Sequence, residues 1–203
     1  MASASHERSL SESDLDADPH RQFRVWLDEA IAAGEPAPTA MALATVGEDG
    51  LPALRMMLLE DFDSRGFVIQ TNLESPKARA LAATPAAALA FYWPLLVRQV
   101  RVTGRVEPLT RDEMAGYFAR APAGVQAMLR ACHQSQVIAD RSELERMFAE
   151  SLSAAPAGVP DHWGGYRLIV ATIEFWQGRA NWLQDRLRYT RTAAGWRVER
   201  LVP

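Results

Sequence analysis

The sequence predicts a mainly β fold with inserted helices (α+β), organised as a closed antiparallel barrel. Three observations carry that prediction. Short runs rich in β-formers recur at hairpin spacing in both halves of the chain. Turn residues punctuate them, as at Glu48-Asp49-Gly50 and Asp63-Ser64-Arg65-Gly66. A helical block over 110 to 155 interrupts the strands, of which seven or eight are expected.

The elements follow in order. Residues 1 to 17 are polar, serine-rich and without periodicity, which predicts a disordered tail ahead of a single domain over 18 to 203. Asp18-Pro19 pairs an N-cap with proline at the first helical position. Phe23, Trp26, Leu27, Ala30 and Ile31 then recur at helical spacing until Gly34. Strands are expected over 41–46, 51–59 and 67–71, and a short helix over 75–83 stops at Thr84-Pro85. Two more strands follow at 86–93 and 99–107, broken by Pro94. Thr110-Arg111-Asp112-Glu113 and Ser142-Glu143-Leu144-Glu145 both have the capping-box pattern. A loop over 154–163 leads to final strands at 166–175, 186–192 and 196–201.

Composition narrows the function. The 203 residues are 48% hydrophobic and 23% charged, as in ordinary globular proteins. A net charge of -3 gives no footprint for nucleic acid. The single cysteine, Cys132, excludes an internal disulfide and cysteine-rich metal sites. With neither a signal core nor a run of transmembrane length, the expected location is the cytoplasm. Of the 22 basic residues 21 are arginine, a bias that a GC-rich genome would produce, and Lys77 is the single lysine.

Eight stretches in one order resemble the pyridoxamine 5'-phosphate oxidase family. They are Ala40–Val46, Arg55–Leu59, Thr71–Ser75, Arg98–Val100, Gln134–Ser135, Trp163–Tyr166, Glu174–Gly178 and Arg200–Pro203. The resemblance runs from about residue 18 to residue 203. It implies a split antiparallel β-barrel and a homodimer with FMN at the interface. It also implies cofactor contacts from Arg55, the main chain of Met56, Met57 and Leu58, and from Gln70, Thr71, Ser75, Lys77, Gln99, Trp176 and Arg186. Gln134 and Ser135 resemble a pair supplied by the neighbouring subunit. A flavin phosphate is a dianion and needs several charge-assisted donors, which these residue types offer. Alone, Arg55 would read as a solvated strand residue and Trp176 as core; their register with the other stretches gives them a site reading. One departure lies here: the family's Arg-Lys after the loop serine is Pro76-Lys77.

The substrate half departs further. The family holds its substrate phosphate with Lys, Tyr, Arg and Ser; these positions read Glu60, Tyr117, Ala121 and Val125. Its Arg-Leu-His-Asp-Arg signature reads Trp182-Leu183-Gln184-Asp185-Arg186. Losing one ion-paired donor costs roughly 2 to 5 kcal/mol where the partner charge is buried. A phosphorylated substrate is therefore disfavoured, although Arg120 and Arg179 are close enough in sequence to compensate. The residues suit an FMN-dependent oxidase that takes a hydride and a proton from a small cyclic or heteroaromatic intermediate, with O2 as acceptor and peroxide as product. The phenazine-biosynthesis oxidases are a similar branch, and Leu187-Arg188-Tyr189 and Ala194-Gly195-Trp196 look like theirs. Tyr117 or Gln184 would hold the substrate and Arg179 would meet a carboxylate. No general base stands out. The alternatives are a vitamin B6 phosphate oxidase and a non-catalytic flavin-binding barrel.

Overall fold

The computed structural model describes residues 9–154 and 158–203. A 3-10 turn at Glu12–Asp14 precedes helix α1 (Pro19–Ala32). Strands β1 (Ala40–Val46), β2 (Pro52–Leu58), β3 (Asp61–Asp63) and β4 (Gly66–Asn72) lead to α2 (Pro76–Ala83). Then come β5 (Ala86–Trp93), β6 (Arg98–Pro108), and helices α3 (Arg111–Arg120), α4 (Ala123–Ala131) and α5 (Arg141–Ser153). Strands β7 (Trp163–Gln177), β8 (Asp185–Thr192) and β9 (Gly195–Arg200) finish the chain. No helix among the described residues is long and apolar enough to cross a membrane.

All the ladders are antiparallel, and the strand order is β2-β1-β5-β6-β7-β4-β3, with β8 and β9 branching from β7. β6 and β7 are the long central pair, and their register shifts at a bulge between Thr103 and Gly104. Gly104 is required there, because a Cβ would lie 1.9 Å from the Ile169 carbonyl oxygen. The expected closure does not occur. No ladder among the described residues joins β2 to β3, so the sheet curls without a closing seam, in keeping with a split barrel.

Helix α1 plugs the curled sheet. The Asp18 side chain accepts from the His20 amide, and Pro19 opens the first turn. Phe23 is fully buried and meets Phe62, Phe67 and Phe91 at centroid distances of 4.7, 4.8 and 4.9 Å. Trp26 meets Phe175 edge-on at 5.0 Å. Each such side chain contributes about 1.5–3 kcal/mol through burial. The apolar stripe ends at Ala30; Ile31, expected on the same face, is 54% exposed.

Two expectations about local structure are corrected. Residues 1–8 of the expected tail lie outside the described residues, but 9–17 pack against the last strands. Leu10 is buried, and its amide donates to Asp185 Oδ2. Arg200 grips both Glu12 carboxylate oxygens and the Leu10 carbonyl, and the Tyr189 hydroxyl donates to the Asp16 carbonyl at 2.6 Å. A polar composition thus hides a segment held by hydrogen bonds. The Thr110 capping box forms as expected. The Ser142 box does not, because α5 starts earlier: Asp140 is the N-cap, accepting from the Glu143 amide, and Ser142 donates to Asp140.

Candidate functional site

One cavity of about 810 Å³ opens beside β2, β4 and the α3–α4 corner. The fold builds its two ends from different elements.

At one end stand two cations. The β1–β2 register sets Arg55 opposite Leu43, and the Arg55 guanidinium folds back across β1 to donate to the Leu43 carbonyl at 3.1 Å and to Thr45 Oγ1 at 2.9 Å. The β4–α2 corner supplies the second cation. Ser75 caps α2 and is fully buried, Pro76 opens the helix, and Lys77 follows in the first turn. Lys77 Nζ donates to Ser75 Oγ at 3.2 Å and to Gln134 Oε1 at 2.5 Å. Thr71 Oγ1 lies 3.3 Å from Ser75 Oγ. Neither Arg55 nor Lys77 has an ion-pair partner among the described residues. Burial lowers the pKa of both, and the Arg55 charge lowers that of Lys77 further. A cation in the first turn also opposes the helix dipole. Two mutually repelling cations, a buried hydroxyl and a helix N-terminus are a donor set that fits a phosphate dianion.

The other end is mixed. Glu60 follows β2, at most about 18 Å along the chain from Arg55. It lines the cavity with Tyr117, Arg120, Ala121, Pro122, Val125 and Met128. Burial pushes the Glu60 carboxyl above its usual range, Arg120 pulls it back, and Asp61 adds to the rise. Tyr117 donates to Asp61 Oδ2 at 3.1 Å, and the Arg120 guanidinium lies over the Tyr117 ring, 4.7 Å from its centroid. Burial raises the Tyr117 pKa, and Asp61 raises it further.

The cavity therefore gathers Arg55, Met56, Met57, Leu58, Gln70, Thr71, Lys77, Gln134 and Ser135 from the expected cofactor set, with Ser75 directly behind them. Glu60, Tyr117, Ala121 and Val125 come from the expected substrate set. Gln134 and Ser135, which resemble a pair supplied by the neighbouring subunit, line the cavity of their own chain here, where Gln134 accepts from Lys77. Ser135 sits at φ 73, a left-handed conformation costly for a residue with a Cβ. Trp163 joins the lining and donates to Gln70 Oε1 at 2.9 Å. It was legible only as part of Trp163–Tyr166. Leu129 and Met128 were missed because their run on α4 reads as helix core.

The remaining expected residues lie elsewhere. Gln99, Trp176 and Arg186 pair in register across β6, β7 and β8, forming one transverse row outside the cavity. Arg186 there donates to Glu174 Oε1 at 2.9 Å and to the Val202 carbonyl at 2.9 Å. Arg179, Trp182 and Gln184 surround a separate pocket of about 290 Å³ with Trp176. Gln184 accepts from the Arg179 amide, so its side chain braces the loop, and Arg179 faces Asp185 at 3.7 Å. Trp182 is 83% exposed at φ 64. Gly178 packs against Val97, itself at φ 52, and a Cβ on the glycine would lie 2.3 Å from Val97 Cγ1.

A family model described as pyridoxamine 5'-phosphate oxidase matches residues 27–153. A second, described as the pyridoxine 5'-phosphate oxidase C-terminal dimerisation region, matches 163–203. The pyridoxine/pyridoxamine 5'-phosphate oxidase of Burkholderia multivorans is 50% identical over 201 residues, covering 96% of this chain and 94% of that protein. The enzyme of that name from Thermosynechococcus vestitus is 49% identical over 196 residues, covering 96% and 93%. Among solved structures, PhzG from Burkholderia lata 383, in complex with tetrahydrophenazine-1-carboxylic acid, matches with a TM-score of 0.93 and 31% identity over 98% of this chain and 100% of that one. A pyridoxamine 5'-phosphate oxidase-related, FMN binding protein from Nostoc punctiforme shares the fold, with a TM-score of 0.75 and 16% identity over 97% and 100%.

Proposed function

Because this chain belongs to the pyridoxamine 5'-phosphate oxidase family, we propose that it is an FMN-dependent oxidase whose substrate is a small ring compound without a phosphate group. The reading is carried by the contrast between the two ends of one cavity. The Arg55–Lys77 end keeps its cations, while Glu60, Ala121 and Val125 stand at the other.

Arg55, Lys77, Ser75 and Thr71 would hold the FMN phosphate, with Gln134 and Ser135 beside them. Pro76, in place of a second cation, removes one donor but opens α2 correctly. Bound there, FMN would supply two-electron acceptance from the substrate and reoxidation by O2 with release of peroxide. The chain's own residues orient the substrate and exclude water. Leu58, Val125 and Met128 offer apolar walls suited to a flat ring. Tyr117, its hydroxyl committed to Asp61, presents its ring with Arg120 stacked on it.

The match to a dimerisation region supports a homodimer. In that assembly the row Gln99, Trp176 and Arg186, which lies outside the Arg55–Lys77 cavity, would complete the partner's site. Trp182 and the rest of its pocket would approach the ring from the same side. The PhzG likeness supports a dihydro-aromatic, phenazine-like intermediate as the substrate class.

A second reading, oxidation of pyridoxine or pyridoxamine 5'-phosphate, is favoured by the activity for which the relatives are named and by Arg120, which does line the cavity. Peroxide production by the purified protein separates the two. The proposed reading expects turnover with tetrahydrophenazine-1-carboxylic acid or a similar reduced ring and little with pyridoxine 5'-phosphate. The opposite ranking would establish the second reading. A flavin-loaded protein that produces peroxide with neither would point to a binding barrel.

A further inference from the structure

Four carboxylates stand at and behind the Glu60 end of the cavity, and three of them are committed. Asp61 accepts from the Tyr117 hydroxyl and the Phe62 amide. Asp63 takes Arg65 and Arg167, and Glu113 takes the same two arginines. Glu60 differs: among the described residues its carboxylate has no hydrogen bond and no ion pair.

The arginines divide in the same way. Arg65 and Arg167 are consumed by Asp63 and Glu113. Arg120 lies over the Tyr117 ring and makes no hydrogen bond or ion pair among the described residues. Glu60 and Arg120 line the same cavity and influence each other electrostatically, yet do not close into a pair. Their neighbours Ala121, Val125 and Met128 offer no side-chain hydrogen-bond donor.

Both side chains are exposed at this end of the cavity; a ring bound there would take them out of water, and charges so removed are costly without a partner. One free acceptor and one free donor of opposite sign, held apart across a cavity, are not satisfied by a simple anion. A phosphate dianion would meet Arg120 and be repelled by Glu60. A simple amine would meet Glu60 and face Arg120. A ligand that carries both signs satisfies both.

We propose that the substrate brings a zwitterionic head to this end of the cavity, with a protonated nitrogen on Glu60 and a carboxylate on Arg120. Its ring then extends toward the Arg55–Lys77 end. The proposal rests on reading this cavity as the joint flavin and substrate site, and it adds the charge pattern of the substrate.

The test uses the FMN-loaded protein and three probes of one skeleton: L-phenylalanine, phenethylamine and 3-phenylpropanoate. Calorimetric titration gives their affinities without turnover. Phenylalanine is expected to bind about tenfold more tightly than either singly charged probe, the effect of one added charge-assisted contact. Glu60→Gln should reduce phenylalanine to the level of 3-phenylpropanoate, and Arg120→Gln should reduce it to the level of phenethylamine. FMN content checks folding in both variants, and the wild-type ranking stands without them. A loaded wild type that binds 3-phenylpropanoate as tightly as phenylalanine, or binds none of the probes, overturns the zwitterionic head alone. A wild type that takes up no FMN overturns the reading of the cavity and this proposal with it.

Discussion

Replacing Lys77 with methionine should separate cofactor affinity from fold stability. Lys77 is the amine that Ser75 and Gln134 aim into the cavity, 3.2 and 2.5 Å from their oxygens, with the Arg55 charge nearby. Without a bound anion the native state bears a half-buried, repelled ammonium. Its pKa is lowered by burial first and by Arg55 second. On unfolding, the amine regains a value of about 10.4. Between the lowered pKa and that value the unfolded state binds more protons, so apoprotein stability rises with pH across that window. At neutral pH the methionine variant loses the penalty, and its apoprotein should be as stable as wild type or more so. The rise in stability at alkaline pH should also be reduced. Ser75 Oγ keeps Thr71 and the Ala78 amide as partners, so the cap survives. FMN loses one charge-assisted hydrogen bond, about 1.5–3 kcal/mol, which weakens Kd by roughly 10- to 150-fold. Titrating apoprotein with FMN by flavin fluorescence measures the first quantity, and urea unfolding of apoprotein at neutral and alkaline pH measures the second. Unchanged FMN affinity, or an apoprotein destabilised by more than about 1 kcal/mol, would refute the assignment of Lys77 as a phosphate ligand.

Other outcomes follow from the same structure. Pyridoxine 5'-phosphate should bind about a thousandfold more weakly than to a site with both cations, at roughly 2 kcal/mol for each lost ligand; the combined Glu60→Lys, Ala121→Arg, Trp182→Arg and Gln184→His variant should raise peroxide production with it. Phe23→Ala empties the centre of the aromatic cluster and should cost about 3–5 kcal/mol in urea unfolding. Tyr189→Phe removes the 2.6 Å bond to the Asp16 carbonyl, costs about 1 kcal/mol, and should speed proteolysis within 9–17. Sedimentation should show the flavin-loaded protein as a dimer; a loaded monomer would contradict the shared site.

Local physics made most of the frame legible. Asp18-Pro19 and Thr110–Glu113 are helix starts whose hydrogen bonds close within a few residues, so sequence reports them directly. Ser142–Glu145 has the same pattern, yet Asp140 captures the helix start two residues earlier. Composition misled over 9–17, where partners such as Arg200 and Asp185 lie far along the chain. The site was legible through resemblance: Arg55 and Lys77 come from separate elements, and nothing in their spacing places them together. Spacing also could not say which residues share a cavity. Gln134 joins Lys77 in its own chain, while Gln99, Trp176 and Arg186 assemble through strand register on another face.

The clasp between Arg200 and the segment around Glu12 has a consequence for how the molecule is made. These residues are 188 apart in the chain, and the bond from Arg200 to the Leu10 carbonyl spans 190. Contacts of such range carry a large loop-closure cost and form after local hairpins. During synthesis, Leu10 and the 3-10 turn must wait, unburied, until β9 has left the ribosome. Assembly of this seam is thus a late step, and a chain stalled before Arg200 would expose the groove that Leu10 later fills. Proteases and chaperones would meet that groove in the nascent chain and lose it once β9 has docked, so the clasp marks a closed seam.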